Sequence, residues 1–239
     1  MRGCATEKKA SQFYECADLL GKKETEREVN FVDYDSENSR TATAALTILE
    51  KEGIARRLSK QHISDGVKVR PSCRFEEIDI ATSTTESVKV ILDVAHNPQA
   101  FEYLFTKLRH NYPSTNLRIV VGFSADKDVK TLSDLLLENV SHPSKIHLVE
   151  SSNPRAASIS TVLESANPKL LECNYQQTSV SVQVKDALKL AATNDELLVI
   201  CGSFFIMAEA RAELGIEEPR DGGAIGEETA RIIQRQSKK

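Results

Sequence analysis

Val90-Ile91-Leu92-Asp93-Val94-Ala95-His96-Asn97-Pro98 is the stretch that decides how this chain folds. Val88 to Leu92 is apolar enough and short enough for a buried strand, and Asp93 stands at its end. Small residues then turn the chain. His96 falls just outside a helix that Asn97 caps and Pro98 opens, since Asn accepts from free helical N–H groups and proline is pre-set for a first turn. A strand thus passes directly into a helix.

The same alternation runs outward from this point. Phe75 to Ile80 reads as a strand before it; Pro98 to His110 is a helix and Leu117 to Phe123 a β-branched strand after it. Val129, Leu132, Leu135 and Leu136 share one face of the next helix. Ile146 to Val149 is a strand, Ala156 to Ser165 and Ser179 to Ala192 are helices, Leu197 to Cys201 is a buried strand, and Phe204 to Leu214 is a helix stopped by Gly215. Strands joined by crossover helices satisfy their edges as a mostly parallel sheet with helices on both faces. An α/β domain therefore occupies residues 71–216, with its regular part at 75–216. Upstream, Asn38 or Ser39 is expected to cap a helix that Gly53 ends, a short helix is expected at Leu58 to Val67, and Phe13 to Leu20 is a brief amphipathic stretch. Residues 1–70 form a separate helical region, Pro71 begins the connection, and 217–239 is a charged tail.

Bulk properties remove several classes of function. The 239 residues carry a net charge of −4, 5% aromatics and no Trp, so there is neither a cationic footprint nor a stacking surface for nucleic acid. Cysteines at 4, 16, 73, 173 and 201 form no C-x-x-C pair, which signals neither a disulfide framework nor a zinc cage. No uncharged stretch, Leu197 to Ala208 among the longest, reaches the roughly 18 apolar residues of a membrane span. A cytoplasmic, reducing location is the expectation, with no membrane partner, and a mitochondrial one is open to a full-length form.

In an open α/β sheet, ligands gather beyond the carboxyl ends of the strands. Asp93 there is placed to accept hydrogen bonds from a ribose; the plainer reading is a helix cap at Asn97 with Asp93 and His96 as ordinary loop residues. His62, His110, His142 and His147 have no carboxylate or cysteine at metal-ligand spacing, which favours surface or packing roles.

The string D-x-A-H-N-P resembles the signature of the carboxy-terminal domain of the Mur ligase superfamily, in its folylpolyglutamate/dihydrofolate synthase branch. Other pieces follow in the family's order. Asn38-Ser39-Arg40-Thr41-Ala42-Thr43-Ala44-Ala45-Leu46 is similar to its N-x-x-T-A-x-A-A-L helix. Pro71-Ser72-Cys73-Arg74-Phe75 is similar to its interdomain P-G-R-F, with no glycine at Ser72 or Cys73. Gly122-Phe123-Ser124-Ala125-Asp126-Lys127-Asp128 resembles G-x-x-x-D-K-D, Pro154-Arg155-Ala156 its P-R-A loop, and Cys201-Gly202-Ser203-Phe204 its last strand and G-S turn.

This resemblance, covering about residues 38–216, implies an ATP-dependent acid–amino-acid ligase. A folate or dihydropteroate carboxylate would take the γ-phosphate of ATP, and L-glutamate would then displace phosphate. It implies Asn38 on the adenine side of ATP, Arg74 on the phosphates across the domain gap and Asp93 on the ribose. His96 would orient the reacting groups, Lys127 would hold an anionic substrate with Asp128 capping its helix, and Ser203 would meet the glutamate carboxylate. Residues 1–70 would be the end of the central ATPase domain. No G-x-x-x-x-G-K-[ST] occurs among the 10 glycines, so the phosphate loop, the Mg2+ ligands and the rest of the ATPase domain are expected on a missing N-terminal part, and the chain is expected to be a fragment, inactive alone, and a monomer. The alternatives are a non-catalytic α/β binding or scaffold module, and another Mur-type amide ligase.

Overall fold

The computed structural model describes residues 14, 16–20, 34–55, 58–82, 87–176 and 179–216. It divides into two units, Met1–Pro71 and Ser72–Lys239. In the first unit, α1 (Cys16–Leu20), α2 (Tyr34–Lys51) and α3 (Lys60–Gly66) are helical. Helix α2 starts earlier than a cap at Asn38 or Ser39 would place it: Asn38 is an exposed residue inside the helix, because Asp35 and Glu37 already fill the first turn, where carboxylates suit the positive end of the dipole. The threonines that sit awkwardly in a helix turn their hydroxyls back on the preceding turn, Thr41 to Glu37, Thr43 to Ser39 and Thr47 to Thr43 carbonyls at 2.9, 2.8 and 2.7 Å. Gly53, at φ 70°, ends the helix as expected. His62 is part of a capping box on α3, accepting from the Ser59 N–H at 3.3 Å while Ser59 Oγ accepts from His62 N at 3.1 Å.

In the second unit five strands form one sheet in the order β1-β2-β5-β3-β4, where β1 is Glu76–Ala81, β2 Ser87–Leu92, β3 Leu117–Val121, β4 Ile146–Leu148 and β5 Leu197–Cys201. β2, β5, β3 and β4 are mutually parallel, and β1 runs antiparallel along β2. The mostly parallel α/β architecture read from the alternation is therefore the observed one. β1 is an edge strand with Glu77 and Asp79 pointing out, which blunts that edge against pairing with another chain.

Period-two alternation sends strand side chains into two cores. Ile91, Ile119, Val121, Ile146, Leu148, Val199 and Cys201 meet α4 (Pro98–Asn111), α5 (Val129–Glu138) and α6 (Ile159–Ser165) through Phe101, Leu104, Phe105, Leu132, Leu136 and Val162. Val88, Val90, Leu92, Val120, Leu198 and Ile200 meet α7 (Val180–Asn194) and α8 (Met207–Glu213) through Val180, Val184, Ala187 and Ala210. Most boundaries in this unit fall within two residues of the sequence reading, and two starts are displaced by three. Helix α6 begins at Ile159 rather than Ala156, because Ser158 caps it by accepting from Thr161 N at 3.2 Å. The last helix opens with a 3-10 turn, Phe204–Ile206, before α8. The short 3-10 turns Pro143–Lys145 and Pro168–Glu172 carry too few residues for any periodic signal.

At the amino ends of the parallel strands lies a buried ionic chain. Arg118 Nε meets Glu196 Oε2 at 2.6 Å, Lys145 Nζ meets Glu196 Oε1 at 2.8 Å, Arg118 Nη1 lies 3.1 Å from His147 Nε2, and His147 Nδ1 lies 3.0 Å from Gln183 Oε1. His147 is only 2% exposed. Burial, with the Arg118 charge, holds its imidazole below the usual range against the pull of Gln183, so the folded chain keeps it neutral. The stability this confers is complete above the unfolded value of about 6.5 and is lost as pH falls through it toward the lower folded value. Urea unfolding across that interval should show stability dropping with acidity, and His147→Gln should flatten the drop; an equal slope in both proteins would contradict the assignment.

Candidate functional site

Because β2, β5, β3 and β4 are parallel, the loops that follow them leave the same edge of the sheet. Main-chain bonds join these loops to one another. Asp93 N donates to Ile200 O at 3.0 Å, Gly202 N to Ala95 O at 2.8 Å, Val149 N to Val121 O at 2.9 Å, and Ala125 N to Arg155 O at 3.0 Å. Two glycines allow the approach. Gly202 has φ 100°, and a Cβ there would lie 2.4 Å from Gly122 O; a Cβ on Gly122 would lie 2.7 Å from Ile206 Cγ2.

Asp93, half-buried, uses both carboxylate oxygens on backbone: Oδ2 accepts from Phe75 N at 2.7 Å and Oδ1 from Ala95 N at 2.8 Å. Burial pulls its carboxyl above the usual range, opposed by those two N–H groups and by the Arg74 and Lys107 charges. His96 Nδ1 is 2.8 Å from Val94 O. A carbonyl only accepts, so in the neutral ring the proton sits on Nδ1 and Nε2 keeps its lone pair. Asn97 caps α4 as read from the sequence, accepting from Ala100 N at 2.9 Å.

Arg74 is exposed and lies between two non-glycine residues in the left-handed region, Cys73 at φ 60° and Phe75 at φ 51°. Each costs on the order of 1–2 kcal/mol for an L-residue. Here is the physical sense of the glycine that the resembling family carries in this turn. The Cys73 carbonyl accepts from Val94 N at 2.9 Å, and Lys107 Nζ lies 4.3 Å above the Phe75 ring.

Lys127 Nζ pairs with Asp126 Oδ2 at 2.7 Å, an exposed and exchangeable partner. Asp128 caps α5, its oxygens accepting from Thr131 N at 3.2 Å and Thr131 Oγ1 at 2.7 Å; those bonds hold its carboxyl below the usual range. Ser203 is 2% exposed, with Oγ accepting from Phe205 N at 3.2 Å and lying 3.3 Å from Ser124 Oγ. Asp93, His96, Lys127, Asp128 and Ser203 thus stand on loops of one sheet edge, and Arg74 is tied to Asp93 through the Phe75 amide. Asn38 belongs to the other unit.

Several residues here had no role in the sequence reading. Glu209 grips the loop after β4, accepting from Ser152 N at 3.2 Å with Ser151 Oγ 3.1 Å away. The Arg155 guanidinium lies 5.4 Å from the Phe205 ring centre. Glu76 and Arg211 pair at 2.6 Å. Their partners are far away in the chain, which no local pattern encodes. Among the described residues, no three His, Cys, Asp or Glu side chains converge on one point, so these residues do not by themselves make a metal centre.

Residues 73–204 match the family described as Mur ligase, glutamate ligase domain. The chain belongs to the Mur ligase family. Within it, the chain is similar to proteins named dihydrofolate synthase/folylpolyglutamate synthase: that of Escherichia coli (strain K12) is 28% identical over 184 residues, covering 76% of this chain and 39% of the relative. That of Buchnera aphidicola subsp. Schizaphis graminum is 30% identical over 144 residues, 59% of this chain and 31% of the relative. The chain therefore spans well under half the length of the curated relatives it matches. Among solved structures it is similar to Escherichia coli FolC in complex with DHPP and ADP, with TM-score 0.53, 25% identity and coverage of 74% and 39% of the two chains. A bifunctional folylpolyglutamate synthase/dihydrofolate synthase with Mn, AMPPNP and L-glutamate bound gives TM-score 0.54, 26% identity and coverage of 82% and 43%. The Mycobacterium tuberculosis folylpolyglutamate synthase complexed with ADP and AMPPCP, at 21% identity and TM-score 0.59 over 77% of this chain and 41% of that one, shares the fold. The family resemblance carried by the motifs stands.

Proposed function

We propose that this chain provides the glutamate-ligating domain of an ATP-dependent ligase that joins L-glutamate to folate or dihydropteroate through an acyl phosphate. The observation that carries the reading is the gathering of the D-V-A-H-N-P loop, the G-F-S-A-D-K-D loop and the G-S turn on one edge of a parallel sheet. Arg74 offers a planar fork for phosphate oxygens, and Asp93, with lone pairs beyond its two N–H partners, suits a ribose hydroxyl. His96 Nε2 is available to accept from the attacking amine and hold it toward the acyl carbon. Lys127 exchanges Asp126 for an anionic substrate, Asp128 fixes the start of α5, and Ser203 with the Gly202 backbone shapes the place of the glutamate carboxylate. Asn38 is assigned to the adenine side of ATP, and residues 1–70 to the end of the ATPase domain.

The sequence contains no phosphate loop, so this reading assigns ATP's phosphates and Mg2+ chiefly to a companion segment that supplies the metal's charge neutralisation. The test is ADP release by the chain mixed with a P-loop-bearing ATPase domain. Release should require both L-glutamate and a folate or dihydropteroate acceptor, and His96→Ala should lower it on the order of a hundredfold. Release that needs glutamate with a different acceptor would place the chain with another amide ligase. Glutamate binding by the chain with no release in any mixture would make it a binding module.

A further inference from the structure

We propose that Glu76 and Arg211 are positioning residues for Arg74, and that their ion pair sets how well this chain holds a phosphate-bearing ligand. The proposal rests on the reading of Arg74 as a phosphate-gripping residue and adds the device that aims it.

Arg74 is the middle of a turn whose neighbours, Cys73 and Phe75, both have left-handed backbone without being glycine. Such a conformation persists only where its surroundings hold it on several sides. Two of the holds come from the strand end: Val94 N–H donates to the Cys73 carbonyl at 2.9 Å, and Phe75 N–H donates to Asp93 at 2.7 Å. These fix the far side of the turn. On the near side, Cys73 N–H donates to Glu76 Oε2 at 2.7 Å.

Glu76 is the first residue of an edge strand, where a carboxylate ordinarily turns to water. It is kept inward by Arg211 Nη1 at 2.6 Å, from the buried face of α8. Arg211 lies beneath the turn, with Nη1 3.9 Å from Cys73 Sγ and only 5% of its side chain exposed. A buried arginine beside Met207 and Ala210 is a costly core residue unless its charge is matched, and here one carboxylate oxygen both matches it and ties the turn. Burial raises the Glu76 carboxyl, but Arg211 and the Cys73 N–H outweigh burial and leave it below the usual range, so the pair is charged at neutral pH.

A brace that served only stability would affect melting and leave ligand affinity alone. The distinguishing measurement is a double-mutant cycle on the full chain mixed with the P-loop-bearing ATPase domain of the ADP-release test, with ATP as the probe and amide chemical shifts or calorimetry as the readout. Arg74→Ala should weaken ATP by about tenfold, the scale of one charge-assisted contact. Glu76→Ala should weaken it by nearly as much although Arg74 is retained, and Arg74→Ala/Glu76→Ala should be no weaker than Arg74→Ala alone. Glu76→Gln, which restores an acceptor for Cys73 N–H, should recover most of the affinity. Should Glu76→Ala fail to fold, Glu76→Gln and Arg211→Lys complete the cycle with Arg74→Ala. Unchanged affinity in the Glu76 and Arg211 variants, or effects that add independently to that of Arg74→Ala, would overturn the proposal alone. Equal ATP response in wild type and Arg74→Ala would overturn the phosphate reading of Arg74, and the proposal with it.

Discussion

Gly202→Ala should destabilise the Ser72–Lys239 unit by roughly 3–5 kcal/mol, the sum of a left-handed alanine and severe overpacking. The new methyl carbon would meet Gly122 O at 2.4 Å and Val121 Cγ2 at 2.6 Å, at a residue whose φ is 100°. The nearest obstacle is backbone, and that backbone is bonded across to the same turn by Gly122 N and Cys201 O at 3.4 Å. Relief therefore requires the loops after β3 and β5 to separate, which also carries Ser203 away from Ser124. Gly122→Ala should cost less, about 1–3 kcal/mol, because the tightest contact there, 2.7 Å, is to a methyl of Ile206 that can rotate. Urea unfolding of both variants decides the matter: an alanine at 202 tolerated within about 1 kcal/mol would mean that the rim is not packed as described.

Glu196→Ala should cost about 3–5 kcal/mol, since it leaves the buried Arg118 and the half-buried Lys145 without their counter-charge. Glu196 is 6% exposed and is the shared partner of Arg118 at 2.6 Å and Lys145 at 2.8 Å. Removing all three charges together, with Arg118→Leu, Lys145→Met and Glu196→Leu, should recover most of that loss, because a buried ion cluster gains little over apolar packing once none of its members is left alone. The checkable result is the denaturation midpoint of the single and triple variants. A triple variant as unstable as Glu196→Ala would show that the charges hold more than each other.

The fold was readable because its signals are local. Val88 to Leu92, Leu117 to Val121 and Leu197 to Cys201 are apolar runs of strand length, and Asn97-Pro98 and Gly215 punctuate helices by their own backbone chemistry. Asn38 has the polarity of a cap, but Tyr34 to Glu37 carry the helix further back. The candidate site was legible where chemistry and strand end coincide, at Asp93, His96, Lys127 and Ser203. It was silent about Glu76, Arg211, Ser124 and Glu209, because each acts on a partner distant in the chain: Arg211 and Glu76 are separated by 135 positions and Ser124 and Ser203 by 79. Likewise His147 carries no ligand-like spacing, and its importance comes from Arg118 and Gln183 converging on it after folding.

The two ends of the sheet are fastened by different chemistry. At one, charged side chains and a neutral imidazole do the holding; at the other, amides meet carbonyls and two glycines let the chains touch. Protons reach the imidazole at the first; at the second they reach the Asp93 carboxylate and not the amide–carbonyl bonds. Acid therefore acts on the foot of the sheet through an imidazole and on its upper rim through a carboxylate, while the amide-to-carbonyl seams between the rim loops hold whatever the pH.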